Sequence, residues 1–315
     1  MSMALDRTPV GVVVINWNGL ADTLACLESL VAATPGPARI VVVDNGSTDG
    51  SVNGLRAWLA AHRGHDGLAV DLVEASTNLG FSGANNIGVE RLRADPLIRH
   101  FLLLNNDATV DRTYFGELAR ALNAAPDAGI MGPTIYVTGR PGEVWYAGGS
   151  FVPLRTLVIH NTIVPAAELP RSTEFVTGCA MLIARRAWDT LGPLPECYFI
   201  YHEDAEYSWR AHAAGLAVLY APRPVVYHAV GGAMRRQATR PRVAYLKTRN
   251  RVLFVRRNLH GWKRWGALAY LVVTKPGRAV AELLRGRPAL GAAFLRGLAE
   301  GLVSRHGARL MAPPR

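Results

Sequence analysis

Four short apolar runs, each closing on polar residues and each followed by a helical period, constrain this chain most. They are VGVVVIN (10–16), ARIVVVDN (38–45), LAVDLVEAS (68–76) and FLLLNND (101–107). The first two, rich in Val and Ile, read as strands buried on both faces, and the other two as a third and a fourth strand. Between the first two, Leu20, Leu24, Leu27, Leu30 and Val31 recur at helical spacing. GSTDGSVNGLRAWLAAH turns into a second helix, with Ser47 or Thr48 fitting its cap, and NLGFSGANNIGVERLRA supplies a third. Asp111 to Leu122 reads as a fourth. Strands alternating with helices at this spacing predict βαβ units and a mostly parallel sheet.

Such sheets bind ligands beyond the carboxyl ends of their strands. Every such end here is polar: Asn16-Trp17-Asn18, Asp44-Asn45, Asn78, and Asn105-Asn106-Asp107. The first βα turn, NWNGLADT, has neither a GxGxxG nor a GxxxxGK[ST] pattern, which argues against a dinucleotide dehydrogenase or a P-loop NTPase. The ligand must then be held by side chains. Asp44 can accept hydrogen bonds from a base or a ribose hydroxyl; as a turn former in DNGS it needs no ligand. Asp107 suits a hard divalent cation, which takes one or two protein carboxylates and completes its shell with phosphate oxygens. The competing reading of Asn105-Asn106-Asp107 is a capping or turn cluster.

The second half is less regular. Phe175–Ala184 reads as one strand, a helix spans about Asp204–Ala214, and LAVLYA and PVVYHAV read as two strands. Glu203, Asp204 and Glu206 lie together among aromatic residues. Carboxylates in an apolar setting can yield a general base, although acids also favour the first turn of a helix for its own sake. His228 follows a strand and precedes two glycines. Its placement beside oxygen donors makes it a candidate metal ligand, against the plainer reading of a lone structural histidine.

The charge is divided unevenly. Residues 231–315 hold 19 Lys and Arg against 2 acids, a net charge of +17, while residues 1–230 hold 16 against 22, a net −6. A basic end of this kind expects an anionic partner, nucleic acid or a membrane surface. Arg and Lys alternate there with Leu, Val, Trp and Ala, as suits amphipathic helices at a membrane interface. The longest apolar stretch, GALAYLVVT (266–274), falls short of the roughly 20 residues needed to span a bilayer. Tyr245, Phe254, Trp262 and Trp265 could instead stack on bases, but no nucleic-acid-reading motif accompanies them, so no nucleic acid is expected. Three cysteines, Cys26, Cys179 and Cys197, in no CxxC pattern point to a reducing compartment. The opening MSMALDRTPV has no basic segment followed by an apolar one, so no secretory leader is expected.

The series VVVINWN, VVVDNGSTDGS, NLGFSGANNIG, FLLLNNDATV, TGCAMLIARRAW, YFIYHEDAEYSWRAHAAG and VVYHAVGG resembles the family 2 glycosyltransferases with a GT-A fold, in family order across residues 10–232. It is similar above all to bacterial rhamnosyltransferase-like members that build cell-wall or surface polysaccharide. The resemblance implies a catalytic domain over 1–232, Rossmann-like with a mostly parallel sheet flanked by helices, and a basic, mainly helical extension over 233–315. It implies an inverting transfer from a nucleotide-sugar donor, with dTDP-rhamnose the first expectation. Galactofuranosyl, glucosyl or other hexosyl transfer is the alternative, and a nucleic-acid-binding protein the non-enzymatic one.

By the same resemblance, Asn16, Trp17, Asn18, Asp44, Asn45, Ser47, Asn78, Gly80, Asn85, Asn105 and Asn106 would line the donor site. Asn105-Asn106-Asp107 stands where the family has its DxD motif, with Asn105 replacing the first acid. Asp107 and His228 would then hold Mn²⁺ or Mg²⁺, and Asp204 would be the catalytic base. Glu203, Tyr201 and Trp209 would face the acceptor, a lipid-linked or glycan hydroxyl. The expected location is the cytoplasmic face of the cell membrane, peripherally attached.

Overall fold

The computed structural model describes residues 8–62, 68–230 and 239–304. The opening stretch read for a leader lies partly outside these residues, and so does the expected domain boundary at 232.

The central sheet grows from β1 (Thr8–Asn16), β2 (Pro37–Asp44), β3 (Ala69–Glu74) and β4 (His100–Asn105), which pair in parallel in the order β3-β2-β1-β4. Each crossover is a helix: α1 (Leu20–Ala32), α2 (Ser51–Ala61) and α3 (Gly80–Arg93). The apolar runs of β1, β2 and β4 are continuous because both faces are covered, whereas β3 at the end of this order is only partly buried, and the pleat divides the buried residues. Val10, Val12 and Val14, with Ile40, Val42, Leu102 and Leu104, pack on the face that also receives Leu27 and Leu30 of α1. Val13, Val41, Val43, Phe101 and Leu103 pack on the other, with Val89 and Leu92 of α3.

Beyond β4 the chain makes β5 (Ala108–Val110), α4 (Tyr114–Ala124), β6 (Ala128–Val137) and the short β7 (Val144–Tyr146). A separate hairpin, β8 (Gly149–Val152) with β9 (Leu157–His160), is followed by β10 (Arg171–Ser172). Then come β11 (Ala180–Ala184), α5 (Arg185–Leu191), a 3-10 turn at Glu196–Tyr198, α6 (Glu203–Ala213) and β12 (Ala217–His228). β11 inserts antiparallel between β4 and β6, and β12 lies parallel to β6, extending the sheet. The result is a mixed α/β fold with a mostly parallel central sheet.

Several boundaries differ from the sequence reading for identifiable reasons. Phe175–Cys179 does not join β11. The amides of Val176 and Gly178 donate to Ser208 Oγ and Asp204 Oδ2 rather than to a neighbouring strand. LAVLYA and PVVYHAV form one strand, β12. Its register against β6 shifts between Tyr220 and Val225, where Pro222 and Pro224 have no N–H to give. Helix α2 is not capped by Ser47 or Thr48; the Asp49 carboxylate accepts from the amide and hydroxyl of Ser51 instead. Asp111 stands just ahead of α4 and accepts from the Thr113 amide and hydroxyl.

The basic end folds into α7 (Arg240–Asn258), α8 (Gly261–Leu284) and α9 (Pro288–Val303). Thr239 caps α7 by accepting from the Arg242 amide. A third core, Val252, Leu253, Phe254, Val255, Ala267, Leu271 and Leu298, closes over Tyr198, with Phe151 and Trp209 packed against it. Among the described residues, no helix is long and apolar enough to cross a membrane.

Candidate active site

The polar strand ends converge as the topology requires. Asn16, last in β1, donates from Nδ2 to Asp44 Oδ2 at 2.7 Å and to Ser47 Oγ at 3.1 Å, and its Oδ1 accepts from Thr23 on α1. Asp44, last in β2, also accepts from the Ser47 amide through Oδ1. Asn18 joins through its amide, which donates to Ser47 Oγ, and its Oδ1, which accepts from the Thr48 amide. Trp17 is half-buried between them. Each Asp44 oxygen therefore already holds one internal bond and keeps one lone pair in reserve.

A second group fixes the start of α3. Asn45 donates to Asn78 Oδ1 and to the Gly80 carbonyl and accepts from the Leu79 amide; Asn78 accepts from the Gly80 amide. Gly80 sits at φ +75°, and a Cβ there would lie 2.4 Å from the Phe199 carbonyl oxygen, so only glycine fits. The Phe81 amide donates to that same oxygen at 2.6 Å. Asn85 is buried on α3 and donates to the Phe81 carbonyl within its own helix.

The β4–β5 turn carries the metal candidates. β5 pairs antiparallel with the end of β12, setting Ala108 opposite His228. The Asp107 carbonyl accepts from the Ala229 amide, and its carboxylate meets His228 Nε2 at 3.2 Å. Residues 121 positions apart in the chain thus form a contact pair. Burial opposes charge on His228, but Cys179 and Asp107 beside it carry its pKa up to about 10. Burial also pushes the Cys179 thiol up, with the neighbouring His228 pulling the other way. Asn105 donates its amide to the Cys179 carbonyl, and Asn106 donates from Nδ2 to Thr23 Oγ1. Asn106 thereby ties the turn to the Asn16–Asp44 network.

Among the described residues, no three His, Cys, Asp or Glu side chains gather as a self-sufficient metal cage. Asp107 and His228 nevertheless suit a cation completed by phosphate oxygens, which needs few protein ligands. His228 Nδ1 is buried without a hydrogen-bond partner among the described residues. A cation would bind the unprotonated ring, so metal and proton compete for His228.

Helix α6 separates its three acids. Glu206 turns inward, accepts from Arg257 Nε at 3.0 Å and Nη2 at 2.8 Å, from Asn258, and from the Tyr198 hydroxyl. Burial works to raise its pKa, but these donors prevail and hold the carboxyl below the usual range. Glu203 is buried with Oε2 unpartnered among the described residues, and burial, reinforced by Asp204, pushes its pKa well up. Asp204 alone keeps appreciable exposure. Its Oδ2 accepts from the Gly178 amide at 3.0 Å and its Oδ1 from the Ala205 amide. Burial raises its pKa against the pull of those amides.

Tyr201 is half-buried at φ +72°, just before α6, with the Lys247 ammonium over its ring. Trp209 lies away from this group. Its ring packs on Phe151 and Phe254, centroids 5.1 and 5.8 Å away, so the contacts it makes are with the hairpin and α7. Three residues that the sequence reading passed over belong here: Thr23, which bridges Asn16 and Asn106; Gly178, which aims Asp204; and Cys179, which lies beside His228. Only the run TGCAMLIARRAW hinted at the last two.

Comparisons with known proteins bear on the family and the fold. The chain is 27% identical over 216 residues to the low-salt glycan biosynthesis hexosyltransferase Agl10 of Haloferax volcanii, covering 66% of this chain and 63% of that protein. It is also 27% identical over 222 residues, 64% of this chain and 70% of the relative, to an N-acetylglucosaminyl-diphospho-decaprenol L-rhamnosyltransferase of Mycobacterium tuberculosis. The chain thus spans under two thirds of the length of the Haloferax relative. Among solved structures, the mannosyltransferase PcManGT of Pyrobaculum calidifontis, in complex with GDP-Man and Mn²⁺, superposes with a TM-score of 0.58 at 19% identity, covering 96% of this chain and 89% of the other. S. aureus TarS 1-349 in complex with UDP-GlcNAc gives 0.57 at 16%, covering 92% and 81%. These likenesses establish the GT-A fold. The model of glycosyl transferase family 2 matches residues 11–192, more than half of the chain, and the protein belongs to that family.

Proposed function

We propose that the protein is an inverting, metal-dependent glycosyltransferase that moves a hexosyl or rhamnosyl group from a nucleotide sugar to a hydroxyl of a lipid-linked or glycan acceptor. The observation that carries this reading is the meeting of Asp107 and His228 at one end of the sheet while Asp204, the most accessible acid of α6, is aimed by Gly178 from the segment leading into β11. Relatives named as a hexosyltransferase and as a rhamnosyltransferase acting on a diphospho-decaprenol support the substrate class. dTDP-rhamnose remains the first donor to try.

In this scheme Asp44 contacts the nucleotide base and Asn16, fully buried and bonded to Asp44, Ser47 and Thr23, lines the pocket behind it. Asn45, Asn78 and Gly80 shape the neighbouring wall; Trp17, Asn18, Ser47, Asn85 and Asn105 complete the donor side as the family resemblance places them. Asp107 and His228 would hold the cation, which would supply positive charge toward the diphosphate of the donor. Asp204 takes the proton of the acceptor hydroxyl. The hydroxyl oxygen bonds to the anomeric carbon as the bond to the diphosphate oxygen breaks on the opposite face. A single in-line displacement inverts the centre. The raised pKa of Asp204 brings its basicity nearer to working pH, which favours proton abstraction. Glu203, buried beside it, and Tyr201 would border the acceptor, with Trp209 supporting that side through the hairpin.

Attachment to an anionic membrane surface completes the proposal. Helix α8 buries Ala267, Leu271, Lys275, Ala279 and Glu282 against the protein and turns Trp262, Trp265, Val273, Val280 and Leu284 outward, the last 82% exposed. Exposed tryptophans beside Lys263 and Arg264 match an interfacial helix. The function is tested with a thermal-shift panel of nucleotide sugars, each with and without Mn²⁺, followed by transfer to a polyprenyl-diphosphate glycan. Stabilisation by one donor only with metal, and transfer from that donor, is expected. No stabilisation by any donor would contradict the reading.

A further inference from the structure

The segment that delivers Asp204 has an unusual backbone. Phe199, Tyr201 and His202 have φ values of +65°, +72° and +80°, a region that side chains other than glycine rarely enter. Such a conformation persists only where its surroundings impose it. The surroundings here come from α7. Asn250, fully buried, shares the two protons of its amide nitrogen among the carbonyls of Tyr198 at 3.0 Å, Ile200 at 2.7 Å and Tyr201 at 2.8 Å. Three carbonyl oxygens face that nitrogen, so only the NH₂ end of the amide can serve. Arg249, also buried, fixes this orientation by donating from Nε to Asn250 Oδ1 at 2.9 Å, and from Nη2 to the Tyr198 carbonyl at 2.9 Å. On the other side the Phe199 carbonyl is held by the Phe81 amide. The left-handed turn is therefore gripped between α7 and α3, and α6 begins immediately after it with Glu203 and Asp204.

We propose that Arg249 and Asn250 are positioning residues for the acceptor side of the site. The C-terminal helices then complete the catalytic apparatus through this clamp, in addition to any role in attachment. The inference rests on the assignment of Asp204 as base, since that residue is what the clamp holds in place. It has no need of the tail's charge: the groups that grip the turn are buried, whereas the membrane-facing groups of α8 are exposed.

The test is Asn250→Asp, which keeps shape and replaces the donor by oxygen, alongside Arg249→Lys, which keeps charge and loses the fork. Leu253→Ala is the control, because it loosens the same helix and leaves the Arg249 and Asn250 hydrogen bonds to the turn in place. Three quantities are read for each: nucleotide-diphosphate affinity and stoichiometry by calorimetry, the kcat and acceptor KM of transfer, and hydrogen exchange of the peptide spanning 197–206. N250D is expected to bind nucleotide within about twofold of wild type at full stoichiometry and to lose about 10²-fold in kcat, the scale of a small misplacement of a reacting group. Exchange in 197–206 accelerates while that of residues 41–48 does not. R249K shows the same pattern at smaller amplitude and carries the test should N250D fail to fold. L253A loses thermal stability and retains kcat. The proposal is overturned if N250D and R249K turn over as wild type does, if their loss only parallels that of L253A, or if exchange in 197–206 is unchanged. The exchange result stands whether or not the chosen donor is transferred, so failure of the clamp and failure of the functional reading are told apart.

Discussion

Removal of Arg257 offers a quantitative check on how the C-terminal helices are joined to the body. Glu206 is 1% exposed and its carboxylate is surrounded by Arg257, Asn258 and Tyr198. Arg257→Met keeps the aliphatic stem and deletes the charge. Breaking a buried pair by removing one partner costs about 3–5 kcal/mol, because the remaining charge has neither water nor a counter-ion. Here Asn258 and Tyr198 still donate to the carboxylate, and the Arg257 side chain is 28% exposed, so the low end, about 3 kcal/mol, applies. At about 2.1 cal/mol/K per residue, 315 residues unfolding together lose the equivalent of about 4–5 °C in Tm.

The pH dependence has a definite sign. The folded pKa of Glu206 is depressed, so its stabilisation is fully present above the ordinary value of 4.5 and is lost as pH falls through the lowered folded value. Guanidinium unfolding of wild type and R257M across that range should show a gap of about 3 kcal/mol at pH 7 that closes in acid. A gap below about 1 kcal/mol at pH 7, or one that ignores pH, would refute the argument that a charged Glu206 depends on this arginine.

Three further outcomes follow from named contacts. Asp107→Ala should abolish the metal-dependent part of nucleotide binding in calorimetry; unchanged metal dependence would remove Asp107 from the site. Trp262→Glu combined with Trp265→Glu should release the protein from anionic liposomes at low salt while leaving soluble-acceptor transfer in place, and retention on the vesicles would show that this face is not the contact. Gly80→Ala meets both a left-handed backbone and the Phe199 carbonyl, so a loss of about 2 kcal/mol or more in unfolding free energy is expected; a variant as stable as wild type would mean that the turn relaxes freely.

The sequence carried the parallel half of the fold because its signals there are local. Short Val-, Ile- and Leu-rich runs read as strands, and Asn16, Asp44 and Asn105 mark where they end. The second half was harder because its structure is set by partners far along the chain. Phe175–Cys179 is as apolar as a strand, yet its amides go to Ser208 and Asp204, residues some thirty positions ahead. Glu203, Asp204 and Glu206 are indistinguishable by composition. Arg257, which claims Glu206, is 51 residues away and read only as part of a basic run. The tail's net charge suggested a surface role, but Arg249 and Asn250 spend their donors inward, on carbonyls that no sequence pattern announces. Charge counts cannot show which basic residues face solvent.

The account turns on Asp204, and the most direct measurement is the transfer rate of Asp204→Asn taken together with its donor affinity. The substitution keeps the shape and the Gly178 contact while removing the proton acceptor. Loss of a positioned base costs roughly 10²–10⁴ in rate, so turnover should fall by that factor with donor affinity nearly intact. Glu203→Gln, measured in parallel, should retain most of its turnover, because Glu203 is buried and is not the group aimed by Gly178. Near-normal turnover by the Asp204→Asn protein would contradict the account and leave the inversion without its base.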